Sequence, residues 1–275
     1  MKYELIIKGG MGNQLFILLE AYRLYLKKKK VSLNISKYSF PNEPREFNLK
    51  NIHPTIENDF PLKKGVLACL NFLVLNRIEK IFAKAIPNDL VGGRTFSLKL
   101  MRWKILSSGY FQNINDSDID LKALRLLKSK LKPFFYGEVI NRLAVHVRRG
   151  DYLLNNHSSH GIVEENVLIN EAKKVFCEIN LEGITIFTDS PNLININKFK
   201  EITENVFIDR TNDPSQVLRK MSLHNAIIAS NSSFSIWAGL IGGPKIFRIP
   251  SEWVKNESSY KLGLEWIERY EVKLI

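Results

Sequence analysis

The segment VHVRRGDYL, Val145–Leu153, takes a short apolar strand directly into two arginines, a glycine and an aspartate. Two adjacent guanidinium groups can hold a diphosphate through paired hydrogen bonds. Gly150 lets the backbone bend sharply, and Asp151 can orient one arginine or a substrate hydroxyl. The segment therefore predicts an anion-binding turn at a strand end. The alternative is a surface salt-bridge cluster after an edge strand, which contributes little to stability.

Strands alternate with helices around and after this segment, a pattern that indicates a parallel sheet covered on both faces. The predicted strands are Leu143–Val147, Ile184–Thr188, Val206–Ile208, Ala226–Ala229 and Lys245–Ile249. The predicted helices are Glu164–Ile179, Pro214–Leu223 and Ser233–Leu240. Pro214 suits the first position of its helix, and Asp213 suits the N-cap.

Polar residues follow three of these strands. Arg148 and Arg149 follow the first, Thr188-Asp189-Ser190 ends the second, and Asn231-Ser232-Ser233-Phe234 follows the fourth while opening a helix. Ligands of open parallel sheets lie beyond the carboxyl ends of the strands, so Ser232, Ser233 and Arg148 are expected to hold one phosphate. His146 is expected on the same strand face as Arg148. For the serines, simple N-capping is the alternative.

The N-terminal part predicts a second strand-turn-helix unit. A strand at Tyr3–Lys8 leads into Gly9-Gly10-Met11-Gly12-Asn13-Gln14 and then into a helical apolar pattern. Such a turn can aim helix amides at a phosphate, although it is neither a Walker loop nor a dinucleotide fingerprint, and a tight structural turn remains an alternative. A further helix is predicted at Leu121–Leu131, ended by Pro133. We therefore predict two lobes, 1–137 and 138–275.

Composition and charge indicate a folded globular protein with an anionic partner. The 275 residues are 45% hydrophobic and 25% charged, which is ordinary for a folded globular chain. Lys and Arg outnumber Asp and Glu by 40 to 28, and the net charge of +12 predicts an anionic partner. Charge alone does not choose among nucleic acid, a membrane surface and a phosphorylated small molecule.

Cysteine and hydropathy patterns favour a cytoplasmic protein. Cys69 and Cys177 lie far apart without zinc-ligand spacing, so a reducing compartment fits them best. The chain opens on a strand-like segment instead of a signal sequence, and its longest apolar run, Val66–Leu75, contains Asn71. No membrane span and no metal cluster are expected, and the residues do not indicate an oligomeric state.

Several segments together resemble the α-1,2-fucosyltransferase family, glycosyltransferase family 11, of bacterial type. More distant similarity extends to protein O-fucosyltransferases and the core α-1,6-fucosyltransferase. The resemblance rests on Gly10–Phe16, Gly109–Gln112, Val145–Leu153, Ile186–Asp189, Met221–Ala229 and Asn231–Trp237, which follow the order of the family.

This resemblance implies an α/β GT-B arrangement of two Rossmann-like lobes, the N-terminal one on the acceptor side, with the donor site in the cleft between them. It implies GDP-β-L-fucose as donor, a β-galactoside as acceptor, inversion at the anomeric carbon, and no cofactor or metal. Because no membrane anchor is expected, a bacterial cytoplasmic enzyme that builds a surface glycan such as an O-antigen is a further hypothesis. The positive charge would suit peripheral association with the cytoplasmic membrane.

The same resemblance implies that Arg148 stabilises the departing GDP. Asp151 is our candidate base for the acceptor hydroxyl, with orientation of Arg149 or of the turn as the alternative, and Asn13 is the third catalytic candidate. The donor-binding candidates are Gly10, Met11, Gly12, Asn13, His146, Arg148, Arg149, Asp189, Asp213, Ser232, Ser233 and Phe234. One position departs from the family, because Val217 stands where related enzymes carry an acidic residue that recognises guanine. Asp213 or Gln216 could replace it, and a different nucleotide preference stays open.

Three further functions compete with this one. A basic nucleic-acid-binding protein would fit the charge, yet the sequence lacks basic residues interleaved with aromatic ones and lacks a known recognition module. A catalytically silent carbohydrate-binding protein, or a transferase that uses another nucleotide-sugar, would fit the motifs. Product formation from GDP-fucose excludes the silent binding protein, and titration with GDP, UDP and ADP separates the two kinds of transferase.

Overall fold

The computed structural model describes residues 1–85, 96–101, 104–115, 117–154, 161–253 and 264–274. They form two compact units, each with its own β-sheet. The first unit comprises Met1–Phe134 together with Leu264, and the second begins at Phe135. The sequence pattern places this boundary after residue 137 instead of after residue 134.

The first unit is built on a five-stranded sheet. Its strands are β1 (Lys2–Ile6), β2 (Lys30–Asn34), β3 (Leu62–Lys63), β4 (Phe96–Met101) and β5 (Lys104–Ser108). Its helices are α1 (Met11–Leu26), α2 (Leu49–Ile52), α3 (Ile56–Asp59), α4 (Val66–Ala85) and α5 (Asp118–Phe135), with a 3-10 turn at Ser36–Ser39. The strand order is β3-β2-β1-β5-β4, and all neighbours are parallel except the antiparallel pair β4 and β5.

Helix α5 corrects one expectation. Pro133 does not end the helix at Leu131, because α5 continues through it to Phe135. A proline in the last turn removes only one backbone hydrogen bond. Leu131 and Phe135 are both buried, so packing of the last turn outweighs that loss.

The second unit is built on a six-stranded sheet. Its strands are β6 (Ile140–Val147), β7 (Ile184–Thr188), β8 (Val206–Ile208), β9 (His224–Ile228), β10 (Ile246–Pro250) and β11 (Glu268–Tyr270). Its helices are α6 (Gly150–Leu154), α7 (Glu165–Glu178), α8 (Ile196–Lys200), α9 (Pro214–Ser222) and α10 (Ser233–Gly242). The five strands and three long helices predicted from the sequence are confirmed, whereas α6, α8 and β11 were not expected.

The strand order of this sheet creates a topological switch point between β6 and β9. It is β11-β10-β9-β6-β7-β8, with every neighbouring pair parallel. The chain runs from β6 outward to β8 and then returns to the other side of β6 as β9. Ligands of such sheets bind where the order reverses, beyond the carboxyl ends of these two strands. The predicted α/β class is confirmed, and this unit has the doubly wound Rossmann order.

Apolar side chains alternate along β6 and fix which residues face its helices. Leu143, Val145 and Val147 belong to one buried cluster, which also contains residues of α7. The intervening side chains therefore lie on the opposite face of the strand, where His146 belongs.

Among the described helices, none combines the length and apolar character needed to cross a bilayer.

Candidate functional site

The carboxyl ends of β6 and β7 are joined by one carboxylate. Asp189 Oδ2 lies 2.7 Å from Arg148 Nη1, while Asp189 Oδ1 accepts hydrogen bonds from the backbone amides of Arg149 at 2.9 Å and Gly150 at 3.0 Å. The Arg148 guanidinium also lies over the ring of Tyr152, 5.4 Å from its centroid. The side chains of Arg148 and Asp189 are 21% and 24% exposed, so both can meet a ligand. The structure thus brings together Arg148 and Asp189, two candidates that the sequence places after different strands.

Gly150 is the first residue of α6. A sharp backbone bend is the reason expected for this glycine, and the structure shows a different one. Gly150 is not among the residues with positive φ, so the turn does not require a left-handed backbone there. A Cβ at this position would lie 2.5 Å from Asp189 Oδ2. The absence of a side chain therefore permits the close approach of the Asp189 carboxylate to the start of α6.

Arg149 occupies a different environment from Arg148. Its side chain is buried, and its Nη1 donates to the Arg148 carbonyl at 2.9 Å. Burial lowers the pKa of the Arg149 guanidinium, while Glu165 and Asp189 act in the opposite direction. Arg149 thus braces the turn through the backbone, and Arg148 is the more exposed of the two guanidiniums.

The carboxyl end of β9 supplies the second half of the site. His146 Nδ1 lies 2.7 Å from Ser230 Oγ, and the His146 ring centroid lies 6.1 Å from that of Phe234. Tyr152 Oη donates to the Asn231 carbonyl at 3.3 Å. The structure therefore brings His146 and Phe234 together and adds Ser230 and Tyr152, which the sequence reasoning missed. Ser230 could have been found as the first polar residue after the apolar strand.

Helix α10 presents its N-terminus at this edge. Ser232 is its N-cap, but the Ser232 side chain makes no capping hydrogen bond, so simple capping does not explain this serine. Its backbone amide donates to the Ser230 carbonyl at 2.7 Å. The first amides of a helix lack intrahelical partners and carry partial positive charge. Ser233 and Phe234, both half-buried, belong to this first turn.

His146 is uncharged in the folded chain. Burial is the largest cause that lowers its pKa to about 3, the positive charge of Arg148 acts in the same direction, and Asp189 opposes them. A neutral imidazole offers one donor and one acceptor, and Ser230 engages one of them. The positive charge of this site is therefore contributed by Arg148, the buried Arg149 and the α10 N-terminus, and not by His146.

The pKa shifts predict acid sensitivity. His224 is likewise buried, with a pKa lowered to about 4. Below pH 6.5 the unfolded chain binds protons that neither folded imidazole accepts, so stability is expected to fall as pH falls toward 4. Each histidine contributes a slope of up to about 1.4 kcal/mol per pH unit. Urea unfolding between pH 7 and 4.5 should give a shallower slope for His224→Asn than for the native chain, and equal slopes would contradict this assignment.

The residues that the resemblance assigns to base recognition lie after β8. Asp213 caps α9, accepting from the Ser215 amide at 2.8 Å, which confirms the predicted N-cap. Gln216 is exposed and Val217 is half-buried on that helix. Asp209, an acid that the sequence reasoning missed, follows β8 directly and pairs with Lys220 at 3.0 Å. Its position after an apolar strand is the signal that could have identified it.

The first unit forms its own polar edge around the Gly9-Gly10 turn. Gly9 has φ +77°, and a Cβ there would lie 2.8 Å from Asn13 Nδ2. Asn13 Oδ1 accepts from Gln112 Nε2 at 2.8 Å, which joins the start of α1 to the residues after β5. Tyr38 Oη donates to the Gly9 carbonyl at 2.9 Å.

The remaining candidates of this unit sit at the start of α1. Gly10 is the N-cap, and Met11 and Gly12 are buried in the first turn. The predicted cleft between the lobes stays a prediction, as do the donor contacts of these residues. The side chain of Asp151, the candidate base, lies outside the described part of the chain, although its backbone belongs to α6.

Comparison with protein families identifies the chain. A family model described as Glycosyl transferase family 11 matches residues 99–268, which is more than half of the chain. The chain belongs to glycosyl transferase family 11. The family predicted from the sequence motifs is therefore confirmed. The matched region of this family 11 glycosyltransferase contains every candidate of the second unit, whereas the Gly9-Gly10 turn lies before it.

Individual proteins also resemble this glycosyltransferase. An alpha-1,2-colitosyltransferase of Escherichia coli is 23% identical over 287 residues, covering 97% of this chain and 92% of the relative. Among solved structures, POFUT1 in complex with GDP-fucose is 12% identical with a TM-score of 0.46, covering 90% of this chain and 97% of that one. The NodZ alpha-1,6-fucosyltransferase co-crystallized with GDP is 13% identical with a TM-score of 0.44, covering 88% and 93%.

Proposed function

We propose that this glycosyltransferase moves L-fucose from GDP-β-L-fucose to the 2-hydroxyl of a β-galactoside, with inversion and without a metal cofactor. The observation that carries the proposal is the placement of Arg148 and the α10 N-terminus beyond the two strands of the switch point. A guanidinium and helix amides are donors suited to a diphosphate. Family membership supports the transfer of a glycosyl group.

In this mechanism the acceptor 2-hydroxyl oxygen forms a bond to the anomeric carbon on the face opposite the diphosphate and gives up its proton to a base. The bond between the anomeric carbon and the diphosphate oxygen breaks, and its electron pair moves onto the diphosphate. Arg148, held by Asp189 through Nη1, would direct its other guanidinium N–H groups to the β-phosphate, where preorganised donors stabilise the growing negative charge. The α10 amides and the hydroxyls of Ser232 and Ser233 would bind the same group. Neutral His146, fixed by Ser230, would line the nucleotide site without adding charge.

The edge of the first unit would receive sugar rings. Tyr38 and Phe47 lie with ring centroids 5.9 Å apart, and Lys8 Nζ lies 5.1 Å from the ring centroid of Tyr110. Half-buried aromatic faces beside amides suit a saccharide, which offers apolar C–H faces and hydroxyls. Gly12 and Asn13 would reach the fucose and the phosphate from this edge. Asn13, oriented by Gln112, would act as the third catalytic residue.

Asp151 is proposed as the base that takes the proton from the acceptor hydroxyl. Asp151→Asn removes the proton acceptor at nearly constant volume, so kcat is expected to fall by about 10²-fold or more. Initial rates with saturating GDP-fucose and acceptor measure this. Retention of more than about a tenth of the activity assigns Asp151 to the turn and not to proton transfer.

The experiment that tests the function combines donor and acceptor panels. GDP-fucose is incubated with several β-galactosides, and the linkage of any product is determined. Calorimetric titration with GDP, UDP and ADP tests base preference, which matters because Val217 replaces the expected acid. We expect an α-1,2-linked fucosyl product and tighter binding of GDP than of UDP or ADP. Absence of a fucosyl product with every acceptor, or preference for another nucleotide, overturns the proposal.

A second candidate is transfer of colitose in place of fucose. The observation that favours it is the similarity to the E. coli alpha-1,2-colitosyltransferase over nearly the whole chain. The same diphosphate contacts would serve either donor, so the sugar must be distinguished elsewhere in the site. Competition between GDP-fucose and nucleotide-activated colitose, compared by kcat/KM, separates the two candidates.

The place of this reaction is proposed to be the cytoplasm, with peripheral association at the inner membrane during synthesis of a surface glycan such as an O-antigen. The net charge of +12 supports attraction to an anionic leaflet.

A further inference from the structure

Helix α4 carries an exposed apolar face. Val66, Leu67, Leu70, Leu73 and Val74 are between 46% and 81% exposed. At 100° per residue they lie within one stripe about 120° wide. Contiguous apolar surface of this kind on a folded protein marks an interaction site more often than scattered single residues do.

The opposite face of α4 is already used by the core. Ala68 and Leu75 are buried, and Leu75 packs with Ile6 of β1 and Leu106 of β5. Phe72 packs against the same cluster. Rotating the helix to hide the exposed stripe would expose these side chains instead, so the described part of the chain leaves the stripe uncovered.

Basic residues flank the stripe in the described part of the chain. Lys63 and Lys64 precede the helix and are exposed, and exposed Arg77 continues the stripe at helical spacing. The segment from 61 to 78 contains no Asp or Glu. A second copy of this face would oppose cations to cations, whereas an anionic bilayer complements both the apolar and the basic groups.

From this arrangement we propose that α4 docks the protein on anionic phospholipid, with its apolar stripe in the headgroup region and the helix axis along the membrane surface. An open groove of about 550 Å³ at the N-terminal end of α4 extends the apolar surface. Its lining residues are Ser39, Lys64, Gly65, Val66, Cys69 and Leu70. This inference rests on the proposed peripheral association and names the surface that carries it out.

The docking face adjoins the edge proposed to receive sugar rings. The turn Ser36–Ser39 packs against α4, and the ring centroids of Phe40 and Phe72 are 5.5 Å apart. Within that turn, Tyr38 holds the Gly9 carbonyl. An acceptor glycan carried on a lipid would therefore meet the Gly9-Gly10 turn close to the bilayer surface.

The test is vesicle flotation with the full chain. Vesicles contain either equimolar phosphatidylglycerol and phosphatidylcholine or phosphatidylcholine alone. The native chain is expected to float with the anionic vesicles. The triple variant L67Q/L70Q/L73Q is expected to lose at least about tenfold in binding, because three apolar side chains no longer insert. The variant K63Q/K64Q/R77Q is expected to lose the preference for anionic vesicles, and the matched control V139Q/L193Q, on exposed apolar residues of the second unit, should bind normally.

Two results overturn the inference. One is equal flotation of native chain and L67Q/L70Q/L73Q. The other is a change of oligomeric state in sedimentation with vesicle binding intact, which would assign the stripe to a second copy. Because the substituted side chains are exposed, the unfolding midpoint serves as a check that the variants fold. Glycosyl transfer to a free β-galactoside should stay within about twofold of the native rate, so loss of docking and failure of the proposed transfer are distinguishable.

Discussion

Replacement of Arg148 by alanine is expected to lower kcat for glycosyl transfer by on the order of 10²- to 10³-fold while the chain stays folded. In the proposed mechanism the leaving diphosphate gains negative charge as the bond between its oxygen and the anomeric carbon breaks. Arg148 is the more exposed guanidinium of the VHVRRGDYL segment, since Arg149 is buried against the backbone. His146 cannot substitute, because its imidazole is neutral with a pKa lowered to about 3.

Kinetics of three variants check this prediction. Arg148→Lys keeps a positive charge but loses the planar fork, so it should lie between the native chain and Arg148→Ala. Arg125→Ala removes an exposed arginine of α5 and serves as the control, with kcat unchanged. Wild-type turnover in a folded Arg148→Ala protein would remove Arg148 from the catalytic machinery.

Much of the second unit could be predicted because its signals are local. Val145 and Val147 alternate with His146, which marks a strand with one apolar face. Asp213-Pro214 marks a helix start through an N-cap and a first-turn proline, and both roles are confirmed. Such signals depend only on neighbouring residues in the chain, so they can be recognised without knowledge of the tertiary packing.

The bonding within the site could not be predicted in the same way. His146 and Ser230 meet at a sequence separation of 84 residues, and their contact depends on β6 pairing with β9. The spatial constraint on Gly150 depends on Asp189, a residue of another strand end. The sequence pattern identifies which polar residues follow the strand ends, whereas the strand order decides which of these residues contact each other.

Helix α4 of the first unit also combines a feature that local sequence predicts with one that tertiary packing decides. The sequence there allows one or two helices from its apolar spacing. Leu67 and Leu75 are chemically alike, yet Leu67 is exposed and Leu75 is buried. Which face turns inward is decided by packing against β1 and β5, which composition does not encode.

Substitution of Asp189 is expected to have the second large effect on kcat, because Asp189 positions Arg148. Its carboxylate holds the Arg148 guanidinium and two backbone amides at the start of α6. Asp189→Ala removes all three contacts, so Arg148 loses its placement and kcat is expected to fall by on the order of 10²-fold. Loss of hydrogen bonds that involve charged groups should also lower the free energy of unfolding by roughly 1.5–3 kcal/mol.

The binding constant for GDP distinguishes positioning from direct contact with the donor. A carboxylate beside a diphosphate repels it, and Asp189 also competes with the ligand for Arg148. Asp189→Asn keeps an oxygen for the amides of Arg149 and Gly150 but removes the charge. We therefore expect this variant to bind GDP at least as tightly as the native chain while its kcat is reduced. Weaker GDP binding with kcat intact would instead make Asp189 a donor ligand, because only a direct contact would be lost in the ground state.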